Sequence, residues 1–190
     1  MTVPRVRLGM VHGRFQPFHR GHLAYLLGAA ARCDELYVGI TNPDPSRVRP
    51  DPLDPARHLP ASNPFTYAER QLMVKAVAVE AGLDLGRVHV IPFPVNEPEL
   101  WLAYVPSGVT HYIRIFSDWG RAKAERLEAA GYPVVVLDEG EAKDVSGADV
   151  RAALAAGDAG AVHALVPVAV ARVIESLGAR GRGPSRVPLR

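Results

Sequence analysis

His12-Gly13-Arg14-Phe15-Gln16-Pro17-Phe18-His19-Arg20-Gly21-His22 decides how the rest of the chain reads. An apolar run precedes it, glycines and histidines crowd into it, and an alanine- and leucine-rich segment follows it. A strand ending at Val11 would deliver Gly13 and Arg14 to the C-terminal edge of a sheet. A helix beginning near Gly21 would aim its free backbone N–H groups at an anion held there. His19 and His22 stand three apart, so both can approach one ligand once the helix has begun. Imidazoles donate hydrogen bonds and can become cationic near neutral pH, which suits polyphosphate oxygens whose charge grows as a P–O bond breaks. The stretch therefore reads as a phosphate cradle at a strand-to-helix junction.

Val6 to Val11 is predicted as a buried strand, Leu23 to Ala31 as a helix and Leu36 to Ile40 as a second strand stopped by Thr41-Asn42-Pro43-Asp44-Pro45. Two strands joined by a helix of this length close as a right-handed parallel crossover. Seven prolines between Pro43 and Pro64 exclude a helix or central strand and make 43–64 a long loop. Such a loop is either a functional cover or a solvated insertion, and its Arg47, Arg49, Arg57 and His58 could meet an anionic substrate. Thr66 and Glu69 form a capping-box pattern opening a helix whose apolar side is Leu72, Met73, Ala76, Val77 and Val79, and which ends near Gly82. Val88–Phe93, Tyr112–Phe116 and Val134–Leu137 are three further strands, with a helix over Arg121–Ala130. Val150–Leu154 and Val168–Leu177 are helical. The alternation predicts an α/β fold: a mostly parallel five-stranded sheet flanked by helices, with a small C-terminal helical part. Residues 1–178 form one domain, and 179–190 a disordered basic tail.

The chain has 190 residues, of which 48% are hydrophobic and 22% charged, as expected of one compact domain. Its net charge of +2 depends on Arg180, Arg182, Arg186 and Arg190; without them the body is net acidic, so charge alone gives no nucleic-acid surface. The single cysteine, Cys33, excludes an internal disulfide and a Cys-based metal cluster, and no residues are assigned as metal ligands. Cys33 itself reads as a buried helix residue rather than a nucleophile. No apolar run reaches membrane-spanning length, and Met1 to Arg7 lacks the hydrophobic segment of a signal peptide, so the expected location is the cytoplasm.

A second anion-binding element is Asp144-Val145-Ser146-Gly147-Ala148-Asp149-Val150-Arg151, after the fifth strand. Ser146 can cap the following helix with Asp149 in its first turn. Alternatively, Ser146 and the neighbouring N–H groups stay free for a phosphate that Arg151 grips bidentately. Two strand-to-helix junctions at one sheet edge converge on a common crevice, which favours the second reading.

These residues resemble the HxGH nucleotidyltransferases, most closely the archaeal-type nicotinamide-mononucleotide adenylyltransferases. The resemblance runs from about Val6 to Leu177 and rests on the GRFQPFH-G-H turn, Asn63-Pro64-Phe65-Thr66 with Glu69-Arg70, and the late Ser146-Gly147 to Val150-Arg151 element. It implies a Rossmann-like fold, a divalent metal, usually Mg²⁺, and transfer of a nucleoside monophosphate from a nucleoside triphosphate to a phosphate-bearing acceptor with release of pyrophosphate. By the same resemblance His19 and His22 hold the triphosphate, with His22 facing the α-phosphate, while Arg14, Ser146 and Arg151 bind the departing phosphates. Gly13 and Phe15 offer backbone contacts, and Gly21, Asp118 and Gly147 complete the nucleotide site. His12 is read as a strand-end residue outside the chemistry. A homo-oligomer is a further implication.

Departures from the family pattern surround the phosphate machinery. Ala148 replaces the usual threonine, Thr41-Asn42-Pro43-Asp44 replaces a Gly-Ser-rich turn, and Ser117-Asp118-Trp119-Gly120 replaces a Thr-Gly-Asn-like stretch. Trp101 is kept, where it could stack on a ring or simply fill the core, yet Pro98 stands in place of an amide side chain. The set looks like a divergent branch associated with phosphonate natural-product pathways, in which CTP and a small phosphonate such as phosphonoformate give a CMP-phosphonate. Asn42, Trp101, Arg121, Lys143 and the loop arginines are the candidate acceptor-binding residues. Against CTP, the Arg-Thr-x-Gly-Ile-Ser signature of better-known cytidylyltransferases is missing. The alternative is an adenylyltransferase making NAD from ATP and nicotinamide mononucleotide, and a third reading is a nucleotide sensor without turnover.

Overall fold

The computed structural model describes residues 5–140 and 143–179. Strands β1 (Val6–Gly13), β2 (Cys33–Thr41), β3 (Val88–Phe93), β4 (Thr110–Ile115) and β5 (Val134–Glu139) form one parallel sheet in the order β3-β2-β1-β4-β5. Flanking it are α1 (Arg20–Ala30), α2 (Tyr67–Glu80), the short α3 (Trp101–Tyr104), α4 (Asp118–Ala129), α5 (Gly147–Ala156), α6 (Ala159–Leu165) and α7 (Val168–Ala179). Met10, Val11, Val38 and Ile40 are fully buried, as expected of central strands covered on both faces. Gly9 lets β1 sit between its neighbours, since a Cβ there would lie 2.7 Å from the Cys33 sulfur and 2.8 Å from the Tyr112 ring. Because β2 and β3 lie on one side of β1 while β4 and β5 lie on the other, the chain reverses direction across the sheet between β1 and β4. Ligands of open α/β sheets bind outside the strand C-termini at such a point.

Each strand forms where expected, with ends displaced by a few residues. Cys33 opens β2 rather than ending a helix; it is buried against β1, because the turn at Ala31 and Arg32 ends α1 earlier than the alanine run suggests. In α2 the buried stripe is Arg70, Met73, Val74, Val77 and Ala78, whereas Leu72 and Val79 face solvent. Helix α4 starts at Asp118 because the Ser117 hydroxyl caps it, accepting from the Gly120 N–H at 3.3 Å. Gly178 and Ala179 belong to α7. The tail expectation for 180–190 and the reading of residues 1–4 lie outside the described residues.

The 43–64 segment is a loop, as its prolines require, with single helical turns at Pro45–Arg47 and Pro60–Ser62. Its far end is bracketed to the signature turn: the Gln16 amide donates to Phe65 O at 2.8 Å and its oxygen accepts the Phe65 N–H at 2.9 Å. Arg70, 2% exposed, reaches from α2 and donates to the carbonyls of Arg14 (2.9 Å), Thr41 (2.7 Å), Asn42 (2.8 Å) and Thr66 (3.3 Å). One guanidinium thus ties the ends of β1 and β2 to α2. Replacing it by methionine leaves these carbonyls without their donor. Arg70→Met should therefore destabilise the fold by at least about 3 kcal/mol in urea unfolding, since hydrogen bonds to charged groups are each worth roughly 1.5–3 kcal/mol. A loss below about 1 kcal/mol would mean that these bonds do not hold the loops.

Candidate active site

A crevice of about 420 Å³ opens at the β1/β4 reversal. Gly13 ends β1 at its floor, and Phe15 follows with a positive φ of 51°, a conformation that non-glycine residues rarely adopt. Burial offsets that strain: Phe15 is 1% exposed, stacks on Phe18 at 5.4 Å and meets the His22 ring edge-on at 4.9 Å. The kink delivers the chain into α1, whose N-cap is His19. The rings of His19 and His22 stack with centroids 3.6 Å apart, and His22 Nδ1 accepts the His19 backbone N–H at 3.3 Å. A neutral His22 ring therefore carries its proton on Nε2, where it is a donor.

Neutrality is imposed by the surroundings. Burial, followed by Lys143 and Arg114, holds the His19 pKa down to about 3. The His22 imidazole is likewise held well below its ordinary value, by burial first, then by His19, Lys143 and Arg114. Cations dominate the walls. Among the described residues, Arg14, Arg57, Arg114, Lys123, Lys143 and Arg151 line the crevice against a single carboxylate, Asp54. Asp54 is shared, lying 3.5 Å from Arg57 and 3.9 Å from Arg14. Arg114 is braced by Asp138 at 2.8 and 3.0 Å and donates to Gly21 O at 2.7 Å.

The second anion element arrives at the same place. Gly147 and Arg151 line the crevice, and Arg151 donates to Gln16 O at 2.8 Å. A Cβ at Gly147 would lie 3.1 Å from that carbonyl, so glycine lets α5 abut the signature turn. The Ser146 hydroxyl is engaged in the cap, donating to Asp149 at 2.7 Å and accepting its N–H at 3.3 Å. Ser146 thus takes the capping role and is not free for a ligand, while Gly147 and Arg151 line the crevice.

Of the other expected site residues, Gly13, Arg14, Phe15, His19, His22 and Lys143 come together in the crevice. Gly21 sits behind it, Asp118 is exposed in the first turn of α4, and Asn42 lines a smaller neighbouring cavity with His58 and Arg70. Arg121 points away, paired with Glu139 at 2.7 Å. Trp101 is 2% exposed, packs on Phe93 and donates its indole N–H to Pro94 O at 2.9 Å, which is the core role. Arg47 pairs with Glu97 and Arg49 with the Ser46 carbonyl, so Arg57 alone of the loop's four basic groups lines the crevice. It lies 3.8 Å from the centroid of the Trp119 ring, whose indole N–H donates to Asp51 at 2.8 Å.

Sequence reasoning passed over His12, Thr41, Arg114 and Lys123, all of which line the crevice. Lys123 had a legible signal, since it shares the buried face of α4 with Gly120, Ala124 and Leu127, where a lysine has no reason to be. His12, set aside as a strand-end residue, is 4% exposed with Nε2 unpartnered.

Hydrogen-bond donors and cations gathered at a sheet switch point are the apparatus of a nucleotidyltransferase. The cytidylyltransferase-like family model matches residues 10–153, which include both anion-binding elements. Phosphonoformate cytidylyltransferase of Streptomyces viridochromogenes is 45% identical over 90% of this chain and 91% of its own length. Nicotinamide-nucleotide adenylyltransferase of Ignicoccus hospitalis is 31% identical over 87% and 90%. A bifunctional NMN adenylyltransferase/ADP ribose pyrophosphatase from Francisella tularensis shares the fold, with a TM-score of 0.63 at 16% identity over 91% of this chain and half of its own. The chain belongs to the cytidylyltransferase-like family.

Four histidines, His12, His19, His22 and His111, have pKa values held down chiefly by burial, those of His19 and His111 to about 3. The unfolded chain takes up protons near pH 6.5 that the folded chain refuses, so stability is whole above pH 6.5 and falls as pH drops towards 3. Each withheld proton contributes a slope of about 1.4 kcal/mol per pH unit. His111 is fully buried, makes no hydrogen bond to the described residues through either ring nitrogen and does not line the crevice, so His111→Leu should flatten the acid limb by one histidine's share. Denaturant midpoints between pH 8 and pH 4 measure this; an unchanged limb would show that His111 titrates normally.

Proposed function

We propose that this nucleotidyltransferase transfers CMP from CTP to a small phosphonate acceptor and releases pyrophosphate. The observation that carries the reading is the crevice's charge, six cations around one shared carboxylate among the described residues, together with the burial of Trp101. A triphosphate and a small dianion suit such walls, while the ring that the family resemblance offers to nicotinamide is occupied in the core. The 45% identity to a phosphonoformate cytidylyltransferase supports the same choice.

In the reaction an ionised phosphonate oxygen attacks the α-phosphorus. A new P–O bond forms there, and the bond from the α-phosphorus to the bridging oxygen breaks. Pyrophosphate leaves with the electron pair. The acceptor is already anionic at neutral pH, so no base is needed. His22, through its Nε2–H, and His19 would donate to the α- and β-phosphates, with Arg14 and Arg151 on the departing charge. Preorganised donors of this kind are each worth roughly 10²–10³ in turnover.

Mg²⁺ fits this site as a companion of the nucleotide rather than as a resident ion. Among the described residues no cluster of three His, Cys, Asp or Glu side chains could hold a metal, and Asp54 is committed to two arginines. Bound to the triphosphate, the ion would neutralise charge on the leaving pyrophosphate.

Pyrophosphate release across the four ribonucleoside triphosphates, each paired with nicotinamide mononucleotide or with a panel of small phosphonates and phosphate esters, tests the assignment. Turnover of CTP with a small phosphonate and none with the mononucleotide is expected. Strong turnover of ATP with nicotinamide mononucleotide would overturn it in favour of the adenylyltransferase reading that the Ignicoccus relative supports. On the accepted pair, His19→Ala and His22→Ala should each lower kcat by at least about a hundredfold. Near-normal rates in both would refute their role, and tight triphosphate binding without any turnover would make the chain a sensor.

A further inference from the structure

Among the crevice cations, Lys143 and Arg114 act most on His19 and His22, with Arg151 acting also on His19 and Arg14 on His22. His12 instead feels Lys123, His111 and Arg57. Four side chains of the inner end, His12, Thr41, Arg57 and Lys123, are each less than a tenth exposed and line the crevice. Among the described residues, His12 Nε2, Thr41 Oγ1 and Arg57 Nε have no hydrogen-bond partner.

Lys123 is the decisive member. Among the described residues it forms no ion pair, and its ammonium lies 5.2 Å from the Trp119 ring that Arg57 covers at 3.8 Å. Burial, then Arg57 and Lys143, brings its pKa down to about 7. A buried lysine facing an arginine, without a carboxylate of its own, is costly unless something anionic completes it. Satisfied polar groups are the rule in protein interiors, so three orphaned atoms on buried residues that line one crevice mark a place where a ligand supplies the partners.

We propose that His12, Thr41, Arg57 and Lys123 form a subsite for a second acidic group on the acceptor, a carboxylate carried by the phosphonate. This rests on the phosphonate reading above and refines it. The attacking phosphonate faces the α-phosphate at the histidine pair, and the carboxylate is held at the inner end by Lys123 and Arg57, with His12 and the Thr41 hydroxyl as further donors. Selectivity for a carboxylated acceptor follows, because an analogue without that group leaves a buried lysine and a buried hydroxyl unanswered.

The test compares kcat/KM for phosphonoformate and methylphosphonate, with CTP saturating, in the wild type and in Lys123→Met and Thr41→Val. Both substitutions keep side-chain volume, and circular dichroism confirms folding; the second variant keeps the test sound if the first does not fold. The wild type should prefer phosphonoformate, and each variant should lose at least about tenfold of that preference, since a hydrogen bond to a charged group carries that much discrimination. An equal fall for both acceptors, or an unchanged ratio, would overturn the subsite while leaving the reaction assignment standing. No preference in the wild type would overturn it too. Failure of either phosphonate to react with any triphosphate would overturn the reaction assignment, and the subsite with it.

Discussion

Everything in this molecule that concerns anions depends on how the carbonyls of one turn are held. Arg70 takes the Arg14 carbonyl, Arg151 takes that of Gln16, and the Gln16 amide brackets Phe65. Those bonds join the end of β1 to α2, to α5 and to the far end of the long loop, four pieces of chain separated by as many as 135 residues. They also allow Phe15 to keep a positive φ, which sets the His19/His22 pair at the mouth of α1. Two of the crevice arginines also hold the chain in place. Arg151 holds the turn with one nitrogen while lining the crevice, and Arg14 donates to Arg57 O while facing its neighbours' charge.

Electrostatics follows from that geometry. Six cations converge where burial already disfavours charge, so the histidines stay neutral, and Arg57 and Lys123 are pushed down to about 10 and about 7. Like charges gathered this closely repel one another, and a bound polyanion would offset that repulsion. In the proposed reaction, binding and transition-state stabilisation would draw on one source, since charge moving onto a leaving pyrophosphate would move towards these groups.

Much of this was legible in the chain, and the limits were physical. The strand-to-helix junctions at Gly13 and Gly147 declared themselves, because glycines, caps and histidines at fixed spacing act locally. The parallel five-stranded sheet was readable from the alternation of apolar runs, and Thr66 with Glu69 marked the start of α2. What escaped depended on tertiary neighbours. The buried face of α2 is turned by Arg70, whose partners lie on two distant strand ends, so Leu72 and Val79 were placed inside when they are outside. His12 looked like a strand terminus because nothing near it in sequence reveals that Lys123 and Arg57 are its neighbours. Trp101 could have been a platform or a core residue, and its burial against Phe93 with the bond to Pro94 O separates the two.

Nucleophilic histidine would be the chief rival to direct displacement. His22 Nδ1 is occupied by the His19 N–H, which leaves Nε2 protonated and unable to attack phosphorus. The stereochemical course at the α-phosphorus decides the matter, measured with a single diastereomer of the α-phosphorothioate of CTP and a phosphonate acceptor. Inversion is the expected result, since one in-line displacement occurs between ionised acceptor and nucleotide. Retention would require two displacements through a nucleotidylated side chain, and would contradict a site built only to position its substrates and bind their charge.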